Sequence, residues 1–381
     1  SRASLSYEQA QAAFEGRPDE QSAPLAEDLG HLYKAWKATL HARAARQPLD
    51  LDLPERRIVL SDAGEVTSVA FKDRLDAHKV IEEFMVMANV AAAEELNARR
   101  SPLLFRVHEE PTVEKIESLR EVAQGAGLTL AKGQVLQTRH LNKLLSDAEG
   151  SEFDELINMA TLRSMTQAYY APENFGHFGL ALRNYAHFTS PIRRYSDLIV
   201  HRALIKAHGW GDDGLTDWDI EHLAETAVQI SETERRSMAA ERDTTDRYLA
   251  AFMADRIGAV FKGRISGVAR FGLFVKLDET GADGLVPIRS LGDEFFRHDQ
   301  DTQTLTGEKT GTVLGLGQRV VVKLAEAEAI TGGVVLELLE VDGAPMARAR
   351  RNGRSRGPIS RKGAAHKAGK IAARKKRERK R

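Results

Sequence analysis

The chain has 381 residues, 42% of them apolar, with 55 Lys and Arg against 55 Asp and Glu and no Cys. That length suits two or three domains with a sizeable core. Zero cysteines exclude a disulfide framework, a thiolate zinc site, an iron–sulfur cluster and a thiol nucleophile, and fit a cytoplasmic protein; with no apolar run near ~18 residues, no membrane partner is expected.

Ser1-Arg2-Ala3-Ser4 offers neither an initiator Met nor an apolar signal core, and reads as the start of a truncated chain. Ser6 to Gln9 is a capping box that opens a short helix, closed by Gly16 and Pro18. A second helix is expected near Leu25–Arg46. Leu49, Leu51 and Leu53 then alternate with Asp50 and Asp52 as a strand with one apolar face would, and Val66–Phe71 is another short strand. From Asp76 to about Arg99, residues Ile81, Phe84, Met85, Ala88, Ala92 and Leu96 recur at helical spacing. They leave Glu82, Glu83 and Asn89 off that stripe. Residues 100–165 read as a smaller helical region.

The densest signal follows. Seven of the 24 aromatic residues fall between Tyr169 and Tyr195, in a segment that also holds His177, His187, Arg193 and Arg194. An aromatic core accounts for some of them, and bases stacking on aromatic faces is the functional alternative. Ser190-Pro191 suits an N-cap followed by the first helical position, so a helix is expected to start there and run to Gly209. Unpaired N–H groups beside Arg193 and Arg194 would then make a phosphate site; equally, two cations at a helix start can pair with acids such as Asp197. The spacings of His177, His187 and His201 match no local metal motif, and each reads as a hydrogen-bonded structural histidine.

A long helix is expected from the cap at Thr216 to about Asp255, its apolar stripe Ile220, Leu223, Ala227, Ile230 meeting polar Glu234 one turn later. Either the helix leaves the core there or it enters a polar site. After Ile257 come five short β-type runs split by glycines: Gly258–Ser266, Arg270–Leu277, Gly284–Ile288, Gly317–Leu324 and Gly333–Leu339, which suggest a small barrel. From Ala347 to Arg381 there are 16 Lys and Arg against the single acid Glu378, a net of +15 that leaves −15 on residues 1–346. Such a tail has too few apolar residues to fold, should be disordered, and suits a polyanion.

Three stretches together carry a family resemblance. Tyr170-Ala171-Pro172-Glu173-Asn174 to His177-Phe178-Gly179-Leu180, continued by His187-Phe188-Thr189-Ser190-Pro191-Ile192-Arg193-Arg194-Tyr195, Asp197 and His201-Arg202, closely resembles the signature of the ribonuclease II/ribonuclease R (RNB) exoribonucleases. His78 to Asn89 and Leu104 to Pro111 are similar to two further stretches of that family. Gly263 to Val275 and Asp283 to Val286 resemble an S1 RNA-binding domain, a five-stranded OB barrel, although Pro287 stands where many such domains carry an RNA-contacting His.

The resemblance implies an α+β chain in three parts: a helix-rich carboxyl-terminal portion of an RNB catalytic domain (1–256), an S1 barrel (257–341) and a disordered basic tail (342–381). It implies processive 3′-to-5′ hydrolysis of single-stranded RNA to nucleoside 5′-monophosphates by a cytoplasmic monomer whose partner is single-stranded or structured RNA. By matching position, Arg193 would stabilise the scissile phosphate. Ser190, Arg194 and Tyr195 would line the RNA path, with Glu234, Arg235 and Arg236 as secondary contacts. One of Glu82 and Glu83 would accept from a ribose 2′-OH. On the barrel, Phe271 and Phe274 would form a stacking platform supplemented by Lys262, Arg264 and His298. The family's Mg²⁺ is held by an Asp cluster upstream of Ser1, so no metal ligand is assigned here and this piece alone is expected to be inactive. The competing expectation is a non-catalytic RNA-binding or regulatory protein that keeps the channel wall and barrel.

Overall fold

The computed structural model describes residues 1–346 apart from 52–55, 72, 73, 134, 152 and 301. The basic tail after Met346 and part of the expected 49–53 strand therefore lie outside the described residues.

The capping box forms as the sequence dictates: the Ser6 hydroxyl accepts from the Gln9 amide and starts helix α1 (Tyr7–Phe14). Helix α2 (Ala26–Arg46) follows, and both pack on α3 (Asp76–Ala98). Between them stands a hairpin of β1 (Arg56–Leu60) and β2 (Val66–Phe71). Leu49, Asp50 and Leu51 are not a strand; Leu49 and Leu51 instead tuck against an apolar cluster built by three later helices. Period-two alternation alone does not supply the backbone partner that a strand requires.

Those helices are α4 (Val113–Gly125), α5 (Thr138–Ala148) and α6 (Asp154–Ser164), preceded by β3 (Phe105–Val107). They bury Ile116, Leu119, Leu141, Leu144 and Ile157 against one another. Strand β4 (Tyr169–Ala171) pairs antiparallel with β3, Arg106 opposite Tyr170. Helix α7 (Tyr195–His208) ends in Gly209 at positive φ, and α8 (Asp217–Glu221) opens on a second capping box at Thr216. Helix α9 (Leu223–Ala254) starts after a break at His222 and is the spine of the molecule, touching β4 at one end and the barrel at the other.

The barrel is made by β5 (Val260–Ala269), β6 (Gly272–Leu277), β7 (Asp283–Pro287), β11 (Arg319–Glu328) and β12 (Gly333–Val341). These are the five expected strands, with ends shifted by a few residues. They run in the order β11-β5-β6-β7-β12, and β11 pairs with β12 to close the ring. Closure leaves no free sheet edge among the five, and buried residues alternate with more exposed ones along the strands. Gly272 is required at the β6 start: its φ is +153°, and a Cβ there would lie 2.1 Å from the Val286 carbonyl oxygen. Leu249, Ala250 and Met253 of α9 are buried in the same apolar cluster as the barrel interior, so the helix plugs one end.

A second, three-stranded sheet escaped the sequence reading: β8 (Phe296–Asp299), β9 (Thr304–Gly307) and β10 (Val313–Gly315), in the order β10-β9-β8. Each strand has three or four residues and contributes one fully buried apolar side chain, Phe296, Leu305 or Leu314, too short a pattern to register as periodicity. The short β13 (Ala344–Pro345) turns back and pairs antiparallel with the end of β12.

Candidate nucleic-acid interface

The inward face of helix α3 is rotated from the expected apolar stripe over its first half. Val80, Glu83, Val86 and Asn89 are buried there, whereas Ile81 is 40% exposed; further along, Ala92 and Leu96 of the stripe are buried as expected. Two polar residues can occupy that face because each is satisfied there. The Glu83 carboxylate lies 3.1 Å from Arg43 and 3.5 Å from Arg46, both on α2. Glu82 faces outward and pairs with Arg74 at 2.5 Å.

Asn89 controls the segment after Tyr185. Its side-chain oxygen accepts from the Phe188 and Thr189 amides at 2.9 and 3.2 Å, and its NH₂ donates to the Tyr185 hydroxyl at 3.0 Å. From the other side, His201 Nε2 donates to the Phe188 carbonyl at 2.9 Å while its ring stacks on Phe188. The next link is Asp197, fully buried, whose carboxylate accepts from the Ser190 amide at 2.7 Å, Arg194 at 2.8 Å and the Ser196 hydroxyl at 3.0 Å.

Helix α7 therefore does not begin at Ser190-Pro191. The Arg193 and Arg194 amides both donate to the Ser190 carbonyl, which makes residues 190–194 a tight turn, and Arg194 is extended before the helix opens at Tyr195. The anion in the first turn of α7 is the protein's own Asp197, which satisfies the helix-start expectation internally and occupies Arg194. Arg193 is left differently. It is exposed, and its guanidinium makes no hydrogen bond or ion pair with a described residue. Ile192, 99% exposed, and Tyr195, 51% exposed, flank it on the same projecting turn.

Behind the turn lies a buried cluster of rings. Tyr170 Oη and His187 Nδ1 are 2.9 Å apart, Tyr185 packs edge-on against His187 and His177, and His177 meets His108 in the same way. Arg106 lies over the Tyr170 ring and pairs with Glu234 of α9 at 2.6 Å, so α9 does enter a polar site there. Burial, with the nearby charges of Arg194 and Arg106, pushes His187 down to about 2. Desolvation again, helped by His108 and Arg106, pushes His177 to about 3. Both imidazoles are neutral and hydrogen-bonded, and His201 is held by its own hydrogen bond to the Phe188 carbonyl. Gly179 is there for space: its amide donates to His108 Nδ1, and a Cβ would sit 2.9 Å from that atom. Asn89, Arg106 and His108 were not picked out from the sequence as site residues. For Arg106 and His108 the available signal was their alternation with apolar Phe105 and Val107. Arg235 and Arg236 are exposed on α9.

On the barrel, Phe271 and Phe274 stand edge-to-face at 5.8 Å, 57% and 38% exposed, and Lys262 is exposed. Arg264 is placed otherwise than expected. It is half-buried and pairs with Glu155 of α6 at 3.1 Å, where Lys276, opposite it on β6, also reaches the same carboxylate at 3.9 Å. The neighbouring Arg163 donates to the Ser266 carbonyl, and Leu156 packs so closely on Gly317 that a Cβ there would lie 2.9 Å away. Arg264 thus belongs to the junction between helices and barrel. His298 is half-buried on β8, with Nε2 enclosed and without a hydrogen-bond partner.

Among the described residues no group of three or more His, Asp or Glu could hold a metal ion, and no helix is long and apolar enough to cross a membrane.

Residues 1–209 match the RNB domain and residues 254–339 the S1 RNA binding domain. Ribonuclease R of Escherichia coli K12 is 38% identical over 355 residues, covering 91% of this chain and 44% of the relative. Ribonuclease R of Aquifex aeolicus is 38% identical over 342 residues, covering 89% of this chain and 48% of its own length. The chain thus spans a little under half of these curated relatives. The solved apo form of Mycoplasma genitalium RNase R superposes with a TM-score of 0.80 at 28% identity, over 88% of this chain and 53% of that one, and the same protein is solved with ribose-methylated single-stranded RNA. With the RNB domain matched over more than half of its residues, the chain belongs to the RNB family.

Proposed function

We propose that this chain is the carboxyl-terminal working part of a 3′-to-5′ exoribonuclease that degrades RNA to nucleoside 5′-monophosphates. One observation carries the reading: Arg193 presents an unpaired guanidinium at the apex of a turn whose flanking residues are pinned by Asn89, His201 and Asp197. Hydrolysis of a phosphodiester develops negative charge on the phosphoryl oxygens as the attacking oxygen closes in. A fixed cation aimed at that charge stabilises the transition state more than the ground state, because it needs no reorganisation at the moment of reaction. Arg194 and Glu83 are consumed by Asp197 and by two arginines, so they are structural in this reading. Of the two carboxylates, Glu82 is the one we assign to accept from a ribose 2′-OH, the group that separates RNA from DNA: it is exposed on the outer face of α3, and its Arg74 partner is likewise exposed, so RNA can displace that pair.

The barrel adds the Phe271 and Phe274 pair as a stacking platform for bases, and the tail adds positive charge along the strand. The described residues offer no converging ligands for the Mg²⁺ that the resemblance implies. What this chain supplies is phosphate stabilisation, ribose recognition and RNA binding, and the RNA-bound Mycoplasma relative supports RNA as the partner.

The test is Arg193→Ala in a chain completed to the length of its relatives, assayed on single-stranded RNA with Mg²⁺. Turnover should fall by about 10²–10³-fold with RNA affinity nearly unchanged. An unaltered rate would remove Arg193 from the chemistry and with it the reading.

A further inference from the structure

We propose that Asn89 is the positioning residue for Arg193: it sets turnover through the placement of the 188–194 segment, without touching RNA itself. This rests on the catalytic reading of Arg193.

The geometry leaves little freedom in how Asn89 is oriented. The Phe188 and Thr189 amides can only donate, so the side-chain oxygen must face them, and the NH₂ must face the Tyr185 hydroxyl, which accepts. Asn89 is 2% exposed and sits on α3, the helix that also holds Glu83, six residues earlier on the same buried face, against α2. It therefore ties the loop to a rigid element. Two consecutive amides held on one acceptor fix the direction in which the chain leaves Thr189. Only Ser190 to Pro191 to Ile192 then separates that anchor from Arg193.

Asp197 closes the far side of the turn through Ser190 and Arg194. Neither anchor hydrogen-bonds to the Arg193 guanidinium: those of Asn89 go to Tyr185, Phe188 and Thr189, and those of Asp197 to Ser190, Arg194 and Ser196. Its aim is consequently set by backbone geometry alone, from two fixed points on different helices. A loop without the Asn89 anchor could still close on Asp197, but its entry would be free to shift. A displacement near 1 Å at a catalytic group typically costs about 10²-fold in rate. An interaction of this kind should appear in kcat and leave KM for RNA unchanged, since binding draws on the barrel and tail as well.

The experiment is a double-mutant cycle in the completed, metal-competent chain, with kcat and KM measured on single-stranded RNA for Asn89→Ala, Arg193→Ala and the pair. Asn89→Ala should lower kcat by about 30- to 100-fold with KM within twofold. The double variant should be no slower than Arg193→Ala alone, because a misplaced guanidinium and an absent one are the same loss. Asn89→Asp keeps an oxygen for both amides and should recover most of the rate, whereas a residue needed only for packing would be served as well by Asn89→Leu.

Multiplying effects in the double variant, or full turnover in Asn89→Ala, would overturn the assignment while Arg193 kept its role. Full turnover in Arg193→Ala would instead overturn the catalytic reading beneath it. Should Asn89→Ala fail to fold, Tyr185→Phe removes only the acceptor for the Asn89 NH₂, and its expected loss of about threefold should likewise vanish in the Arg193→Ala background. Persistence of that loss would count against the proposal.

Discussion

Glu83 of α3 lies within ion-pairing distance of two α2 residues one helical turn apart, Arg43 at 3.1 Å and Arg46 at 3.5 Å. Both arginines approach from one face of α2, as residues three apart must. This pair of contacts locks α2 onto the helix that carries Asn89, so it supports the candidate site from behind.

Glu83→Ala would leave two guanidiniums at a largely buried junction without their carboxylate, and Arg46 already has Nε and Nη2 enclosed with no hydrogen-bond partner. A loss of about 2 kcal/mol in unfolding free energy is expected, reduced from the fully buried case because both arginines keep some contact with water. Urea titration measures it. A change below about 0.5 kcal/mol would mean that the pair contributes no more than a surface ion pair.

Acid should destabilise the fold through His187 and His177. Both are neutral when folded, held at about 2 and about 3 against an ordinary value of 6.5, so below pH 6.5 the unfolded chain takes up protons that the folded one refuses. Stability contributed by these groups is therefore complete above pH 6.5 and is lost progressively as the pH falls towards their folded values. His187→Gln should flatten the decline of the urea midpoint between pH 7.5 and pH 5; a decline as steep as in the unaltered chain would show that His187 does not contribute to it.

The two barrel sites separate by readout. Phe271→Ala should weaken single-stranded RNA binding by about 1–3 kcal/mol, the worth of one base stack. Arg264→Ala should act on the helix–barrel junction, lowering the melting temperature and exposing the Glu155 segment to faster amide exchange, with a smaller change in RNA affinity. The reverse ordering of the two affinities would return Arg264 to the RNA face.

Removal of Ala347–Arg381 takes away 16 cationic residues. The slope of log K against log salt for single-stranded RNA should become shallower by about 0.7 for each phosphate that the shortened chain no longer neutralises. Equal slopes with and without the tail would show that it does not engage the phosphates.

The sequence was legible where one residue's chemistry settles its own neighbourhood. The Ser6 and Thr216 caps, the helices α2, α3 and α9, and the five barrel strands follow from local hydrogen-bond needs and from the period of apolar residues. Arg193, Phe271 and Phe274 were singled out from residue type and motif, and the structure leaves each exposed. Local rules failed where partners come from far along the chain. Ser190-Pro191 has the chemistry of a helix start, yet the Ser190 carbonyl is taken by two amides of a turn and its N–H by Asp197.

Which carboxylate of α3 faces outward was not decided by spacing, because Glu82 and Glu83 are adjacent and both lay off the apparent stripe. The tertiary structure decided it by bringing two α2 arginines, 40 and 37 residues away in the chain, to Glu83 alone. Asn89 became a hub, and Arg264 a junction residue, for the same reason. Composition and periodicity determine which segments can form and which side chains can do chemistry. Whether a buried polar group is tolerable, and which cation is left unpaired to meet a ligand, depends on neighbours that only the folded chain assembles.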